Sequence, residues 1–175
     1  MPKRPWLFLP PLLALLLSQC SSPSSAPSSH KRWSYQYRPG KSAVIVNGKA
    51  VPPAGLPPEV MRAISAGNRI VGRPYKFGGG HRQIEDWGYD CSGTVCYALQ
   101  HAGLIRGCGT SESLRNYGKR GEGKHITVYA KSGHTFIEIA GLRLDTGYNG
   151  ERKGPSWSTK GRPISGYVAR HPEGL

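Results

Sequence analysis

The chain has 175 residues, with 24 lysines and arginines against 10 acidic residues and a formal net charge of +14 at pH 7. A charge of this size favours an anionic partner. Nucleic acid is not the expected one, because the basic residues are spread along the chain and no nucleic-acid recognition motif is present.

The first residues have the pattern of an export signal. Lys3 and Arg4 precede an apolar run from Trp6 to Leu17. A basic start followed by about 7–15 apolar residues is typical of a secretory signal. The run is shorter than the roughly 20 residues that cross a membrane as a helix. We therefore predict that residues 1–19 form a signal peptide and that the protein is exported to the cell envelope. Without them the net charge falls to +12, because they carry two basic residues and no acidic ones.

Cys20 follows this signal in the sequence Leu17-Ser18-Gln19-Cys20, which resembles a bacterial lipobox. That resemblance implies that Cys20 becomes the lipid-bearing first residue of the mature chain and attaches it to the membrane. Gln19 departs from the Gly, Ala or Ser that is usual before the cysteine. Ordinary cleavage nearby, without a lipid, stays the alternative.

Residues 20–57 are predicted to be a flexible tether. The stretch 21–29 is almost entirely Ser, Pro and Ala, a composition that cannot bury a core. One short strand is expected over 43–46, ending at the turn signal Asn47-Gly48. Residues 58–175 then form a single compact domain of ordinary size.

Three further cysteines are present, Cys91, Cys96 and Cys108. A disulfide between Cys96 and Cys108 is conceivable in an exported protein. Alternatively, Cys96 is a small buried residue on a helix. The cysteine spacings do not fit a zinc site, so neither a metal nor another cofactor is expected.

The stretch Asp90-Cys91-Ser92-Gly93 predicts the start of a helix. Apolar residues recur after it at helical spacing, and Gly103 supplies a stop: Val95, Ala98, Leu99 and Ala102. Asp90 suits the N-cap position, where its carboxylate accepts backbone N–H bonds.

Cys91 is predicted to be a nucleophile. A thiol at a helix N-terminus experiences roughly half a positive charge, which favours the thiolate. The same N–H groups can stabilise an oxyanion. Ser92 and Gly93 are small and are expected to allow a substrate to approach closely. A structural cysteine that happens to open a helix is the alternative.

His134 is predicted to be the base. Alternation over 125–130 and 134–140, with a turn at residues 131–133, indicates two antiparallel strands. This places His134, Phe136 and Glu138 on one face of the second strand. A third strand follows over 142–145. His81 precedes Cys91 and is expected to be solvated, with a substrate contact as the alternative.

Asp145 is predicted to orient His134. A two-residue turn at Ala140-Gly141 pairs Ile139 with Leu142, which puts Asp145 on the face of His134, one diagonal step away. A three-residue loop would put it on the opposite face. Glu138 remains an alternative orienting residue, and His125 an alternative base.

In order along the chain, Pro74-Tyr75, Gly78-Gly79, Asp90-Cys91-Ser92-Gly93 and Gly133-His134 resemble the NlpC/P60 family of peptidoglycan-cleaving cysteine peptidases. The resemblance covers roughly residues 58–145. It implies an α+β, papain-like fold in which N-terminal helices pack on an antiparallel β-sheet. A final strand is predicted over 166–169.

By this resemblance Cys91 is the nucleophile and His134 the base. Tyr75 takes the place of a tyrosine near the oxyanion, and Asp90 and Ser92 that of substrate contacts. The third residue of the family is usually a histidine, where this chain has Asp145. Trp157 lies in a loop, where it forms a wall of the substrate groove or packs against the edge of the domain.

The resemblance also implies cleavage of amide bonds in peptidoglycan stem peptides, often between D-Glu and a diamino acid. Two alternatives stay open. One is an envelope amidase or acyltransferase that uses the same Cys/His pair on a lipid or protein. The other is a non-catalytic module that binds the cell wall. The sequence does not indicate an oligomeric state.

Overall fold

The computed structural model describes Met1 and residues 31–147 and 153–175. The predicted signal peptide beyond Met1, Cys20 and the first part of the predicted tether lie outside the described residues. The elements are helices α1 (Pro58–Ile70) and α2 (Cys91–Ala102), a 3-10 helix (Ser113–Asn116), and strands β1 (Arg32–Trp33), β2 (Val44–Val46), β3 (Lys49–Val51), β4 (Lys119–Arg120), β5 (Ile126–Lys131), β6 (His134–Ile139), β7 (Leu142–Asp145), β8 (Ser156–Ser158), β9 (Arg162–Pro163) and β10 (Val168–His171). Among these elements, no helix is long and apolar enough to cross a membrane.

The architecture is α+β, as predicted. Six strands form an antiparallel sheet in the order β4-β10-β5-β6-β7-β8. Both helices pack on one face, which we call the helix face, and bury the main apolar core between helices and sheet. The opposite face, which we call the outer face, carries a smaller cluster of Trp33, Tyr129, Phe136 and Ile164.

The predicted helix after Asp90 is confirmed. Asp90 has an extended backbone and caps α2, with its carboxylate accepting from the Gly93 N–H. Gly103 ends the helix at φ +79°, a left-handed conformation that glycine adopts without strain. The predicted apolar face is fully buried: Val95, Ala98, Leu99 and Ala102.

The predicted three-strand order and its register are also confirmed. Ala140 and Gly141 both have positive φ, +47° and +82°, which is the signature of a two-residue turn matched to strand twist. Ile139 pairs with Leu142 as expected. The final strand begins at Val168 rather than at residue 166, because Gly166 lies in a turn with φ +78°.

Residues 31–57, which we call the N-terminal arm, correct part of the predicted tether. Trp33, Ala43 and Ala50 are buried, with exposures of 5% or less. β1 pairs with β9, and β2 and β3 form a hairpin around Asn47-Gly48. These isolated apolar residues anchor the arm on the domain, because burying them removes apolar surface from water. Residues 20–30 stay a predicted tether.

Cys96 and Cys108 form a disulfide, with their Cα atoms 5.2 Å apart. The bond joins the loop after α2 to the buried side of that helix, where Cys96 is fully buried. Closing a loop of this size stabilises a fold by about 3 kcal/mol in the chain-entropy account.

Gly93 packs against the loop that precedes α2. A Cβ atom at Gly93 would lie 1.9 Å from the Gly79 carbonyl oxygen, and a Cβ at Gly79 would lie 2.2 Å from the Gly88 oxygen. The expectation that Gly93 makes room for substrate is therefore corrected, because the room is taken by the backbone of the chain itself.

We predict that Gly93→Ala lowers the free energy of unfolding by about 1–3 kcal/mol, the usual cost of overpacking a close contact. Gly107→Ala is the matched control, since nothing lies within 4 Å of a Cβ at that position. It should change stability by no more than about 0.5 kcal/mol. Urea unfolding of both variants checks this, and equal stability of the two would contradict the packing role of Gly93.

Candidate active site

The Asp90 carboxylate organises the start of α2. Oδ1 accepts from the Gly93 N–H at 2.7 Å and from the Ser92 hydroxyl at 3.1 Å, and Oδ2 accepts from the Gly78 N–H at 3.0 Å. Nε2 of His81 lies 3.1 Å from both Asp90 Oδ1 and Ser92 Oγ. His81 was expected to be solvated, but it is half-buried and joins this network.

Asp90 and Ser92, which the resemblance implied as substrate contacts, are only 7% and 5% exposed. Their polar atoms are engaged with each other and with the preceding loop. The structure therefore gives both a part in holding the helix start, and their contact with substrate stays a prediction.

Cys91 is the first residue of α2 and is half-buried. It is the one free cysteine among the described residues. A backbone bridge between Tyr75 and Tyr89 leads into it, with the Tyr89 N–H donating to the Pro74 carbonyl at 3.1 Å. This bridge holds Tyr75, itself half-buried, beside the strand-to-helix junction that carries the thiol.

His134 opens β6 and lies beside both of its predicted partners. Its Nε2 lies 2.9 Å from Asp145 Oδ1, and Cys91 is near enough to the ring to raise its pKa. Since Asp145 occupies Nε2, the other ring nitrogen, Nδ1, is the one left for the thiol. Burial opposes protonation of the ring, but the hydrogen bonds and negative charges of Asp145 and Cys91 outweigh it and raise the pKa of His134. The structure thus brings all three predicted catalytic residues together.

Asp145 is fixed by two buried arginines that sequence reasoning missed. Its side chain is 3% exposed, and Oδ2 forms ion pairs with Arg143 and, at 2.8 Å, with Arg162. The Thr146 N–H donates to Oδ1 at 2.8 Å. Arg143 lies two residues before Asp145 on the same face of β7, so strand alternation predicts that the two side chains are neighbours. Arg162 comes from β9, and nothing local in the sequence points to it.

Tyr167 is a second neighbour that the sequence did not single out. Its ring lies edge-on to His134, with centroids 6.4 Å apart, and 5.4 Å from the Phe136 ring. Arg162 donates to its hydroxyl at 3.1 Å. Burial raises the pKa of Tyr167. Phe136 and Tyr167 therefore form an apolar wall beside the imidazole.

Glu138, the alternative orienting residue, and His125, the alternative base, both lie away from the Cys91–His134 pair. Glu138 shares the face of His134 but accepts a hydrogen bond from Trp33 Nε1 at 2.6 Å. His125 directly precedes β5. Lys131, at the other end of β5, is the residue that pairs with His134. Six residues of strand separate them, roughly 20 Å. Neither residue contacts the Cys91–His134 pair.

Trp157 was predicted to bind substrate, and the structure corrects this. Its side chain is 7% exposed and belongs to the main core. The ring packs so closely on Gly67 of α1 that a Cβ there would lie 2.5 Å from it, and Nε1 donates to Asn68 at 2.8 Å. An aromatic ring with a buried partner for its N–H is a core residue.

The site holds the three kinds of group that acyl transfer through a thiol requires: a half-buried thiol, an imidazole beside it, and a buried carboxylate bonded to the imidazole. Within the described residues, no group of three or more His, Cys, Asp or Glu side chains is arranged to hold a metal ion.

No family model matches the chain. Among curated proteins it is similar to the peptidoglycan DL-endopeptidase CwlO of Bacillus licheniformis, with 36% identity over 110 residues. The match covers 56% of this chain and 22% of that protein. The chain therefore matches only about a fifth of the length of its relative.

We predict that Asp145→Asn lowers the pKa of His134, because the variant removes the carboxylate charge that favours the imidazolium. NMR titration of the imidazole resonances measures this directly.

Glu138→Gln is the matched control for that variant. It removes a carboxylate from the same sheet face, but one bonded to Trp33. The pKa of His134 should stay within about 0.3 units of its wild-type value in this control. An equal fall in both variants would show that Asp145 has no special coupling to the ring.

Proposed function

We propose that the protein is an exported cell-wall hydrolase, a cysteine endopeptidase of the NlpC/P60 type that cleaves amide bonds in peptidoglycan stem peptides. The observation that carries this proposal is the 2.9 Å contact between His134 and a buried Asp145, with Cys91 beside the imidazole at the N-terminus of a helix. The similarity to a peptidoglycan DL-endopeptidase supports the substrate.

The arrangement of elements supports a papain-like fold. In the proposal, the nucleophile stands at the start of a helix and the base at the start of a strand in an antiparallel sheet packed on that helix. Asp145 takes the position of the usual third histidine. A carboxylate that receives the Nε2–H bond fixes the tautomer in which Nδ1 can accept a proton.

The proposed reaction has two halves. His134 Nδ1 accepts the Cys91 proton, and the thiolate attacks the amide carbonyl. The Gly93 N–H is already held by Asp90, so the Cys91 backbone N–H, with Tyr75, is the proposed donor to the oxyanion. His134 then gives its proton to the leaving amine. In the second half, His134 activates a water that hydrolyses the thioester and releases the acid.

The proposal includes the location of the protein. The predicted signal peptide over 1–19 would direct export, and Cys20 would carry a lipid where the lipobox is used. The bond between D-Glu and a diamino acid is the proposed site of cleavage.

Cys91→Ala and His134→Ala are each predicted to lower release of peptide fragments from purified sacculi by at least about a thousandfold, since a nucleophile and its base act as one unit. His101→Ala is the control and should stay within about threefold of wild type, because His101 lies in the last turn of α2, roughly 15 Å along the helix from Cys91.

Chromatography with mass spectrometry of the soluble fragments is the readout. Full activity of Cys91→Ala would refute the proposal. Fragments cut only between glycan and peptide would indicate an amidase instead, and the absence of any wild-type release would leave the chain without the proposed activity.

A further inference from the structure

A cavity of about 660 Å³ lies between the N-terminal arm and the outer face of the sheet. We call it the arm cavity. Thr127, Tyr129 and Glu138 line it from the sheet, and the arm covers it. Glu138 lies four residues along β6 from His134, on the same face, which is roughly 13 Å. The cavity is therefore separate from the Cys91 site, but it lies on the sheet face that carries His134.

The lining is rich in cations. Five exposed basic side chains border the cavity: Lys31, Arg32, Arg38, Lys41 and Lys124. Arg32 donates to the Gly161 carbonyl. Across residues 31–147 and 153–175, the other four form no ion pair with an acidic residue. The charge of Arg38 opposes the rise in the pKa of Glu138, which leaves the charges of Lys31, Lys41 and Lys124 available to a ligand.

The two acidic residues of the lining are already engaged. The Tyr129 hydroxyl donates to Glu122 at 3.0 Å, and Trp33 Nε1 donates to Glu138 at 2.6 Å. Burial raises the pKa of Glu138, despite the opposing effect of Trp33. With five cations against two acids, the cavity has a surplus of positive charge.

His125, which also lines the arm cavity, responds to that surplus. Burial and the nearby charges of Lys124 and Lys41 lower its pKa. Lys41 on the arm and Lys124 before β5 both line the cavity with His125, so positive charge from two segments surrounds one space. An anion between them would replace this repulsion by attraction.

We propose that the arm cavity is an anion-binding subsite, which takes a carboxylate-bearing segment of the wall polymer while another segment is cut at Cys91. This rests on the proposed function, since peptidoglycan stem peptides carry free carboxylates. The distance of roughly 13 Å exceeds the roughly 10 Å that three extended residues span. A tripeptide bound at Cys91 is therefore too short to reach the subsite, whereas the polymer can occupy both.

The test compares two double variants in a Cys91→Ala background, which allows binding without hydrolysis. Lys41→Gln/Lys124→Gln removes two charges from the cavity. Arg106→Gln/Lys119→Gln removes two exposed charges that do not line it. Both are measured by co-sedimentation with sacculi treated with hydrofluoric acid, which removes phosphodiester-linked polymers and leaves carboxylates.

We expect the cavity pair to raise the apparent Kd about tenfold, and the control pair to raise it less than twofold. Equal effects of the two pairs would overturn the proposal in favour of general surface charge. A difference seen only with untreated sacculi would overturn the carboxylate assignment and indicate phosphate. With Cys91 intact, the Lys41→Gln/Lys124→Gln variant should cleave a soluble tripeptide at a rate within twofold of the wild-type rate. Failure of the proposed function would appear separately, as no cleavage by the wild type.

Discussion

The buried carboxylate of Asp90 joins the loop before α2 to the first turn of that helix, and the position of Cys91 depends on this junction. A carboxylate with little exposure is stable in a fold only when donors surround it. Here backbone N–H groups from both sides, the Ser92 hydroxyl and His81 supply them. Gly93 allows the two backbones to approach within contact distance. The thiol is therefore held at a closely packed, hydrogen-bonded junction.

The position of His134 beside Asp145 depends on a different constraint, the register of the sheet. Shifting β7 by one residue against β6 would turn Asp145 to the helix face, since strand side chains alternate. The turn at Ala140-Gly141 fixes the register, and the arm supports it, because the Ala43 N–H donates to the Ala140 carbonyl at 2.8 Å. Arg143 and Arg162 then hold the carboxylate against His134. The arm thus supports the register of the two strands that carry His134 and Asp145.

The features that the sequence predicts correctly are those set by neighbouring residues. Asp90 and the spacing after it predict α2, and alternation predicts the strands that carry His134. What it missed depended on distant contacts. Trp33 is a single apolar residue in a polar, proline-rich stretch, so no periodicity reveals that it is buried. Arg162 acquires its role by folding next to Asp145, and Trp157 is buried by a glycine on α1 some ninety positions away. Such pairings follow from topology and not from neighbouring residues.

The proposed mechanism requires a covalent bond between Cys91 and the substrate. Mixing wild type with sacculus fragments, quenching in acid within the first turnover and mapping the protein by mass spectrometry tests it most directly. The account predicts an added mass equal to the acyl part of a cut stem peptide, on the peptide that contains Cys91, and none in Cys91→Ala. The same added mass on another side chain, or fragment release at full rate after Cys91 has been alkylated, would contradict it.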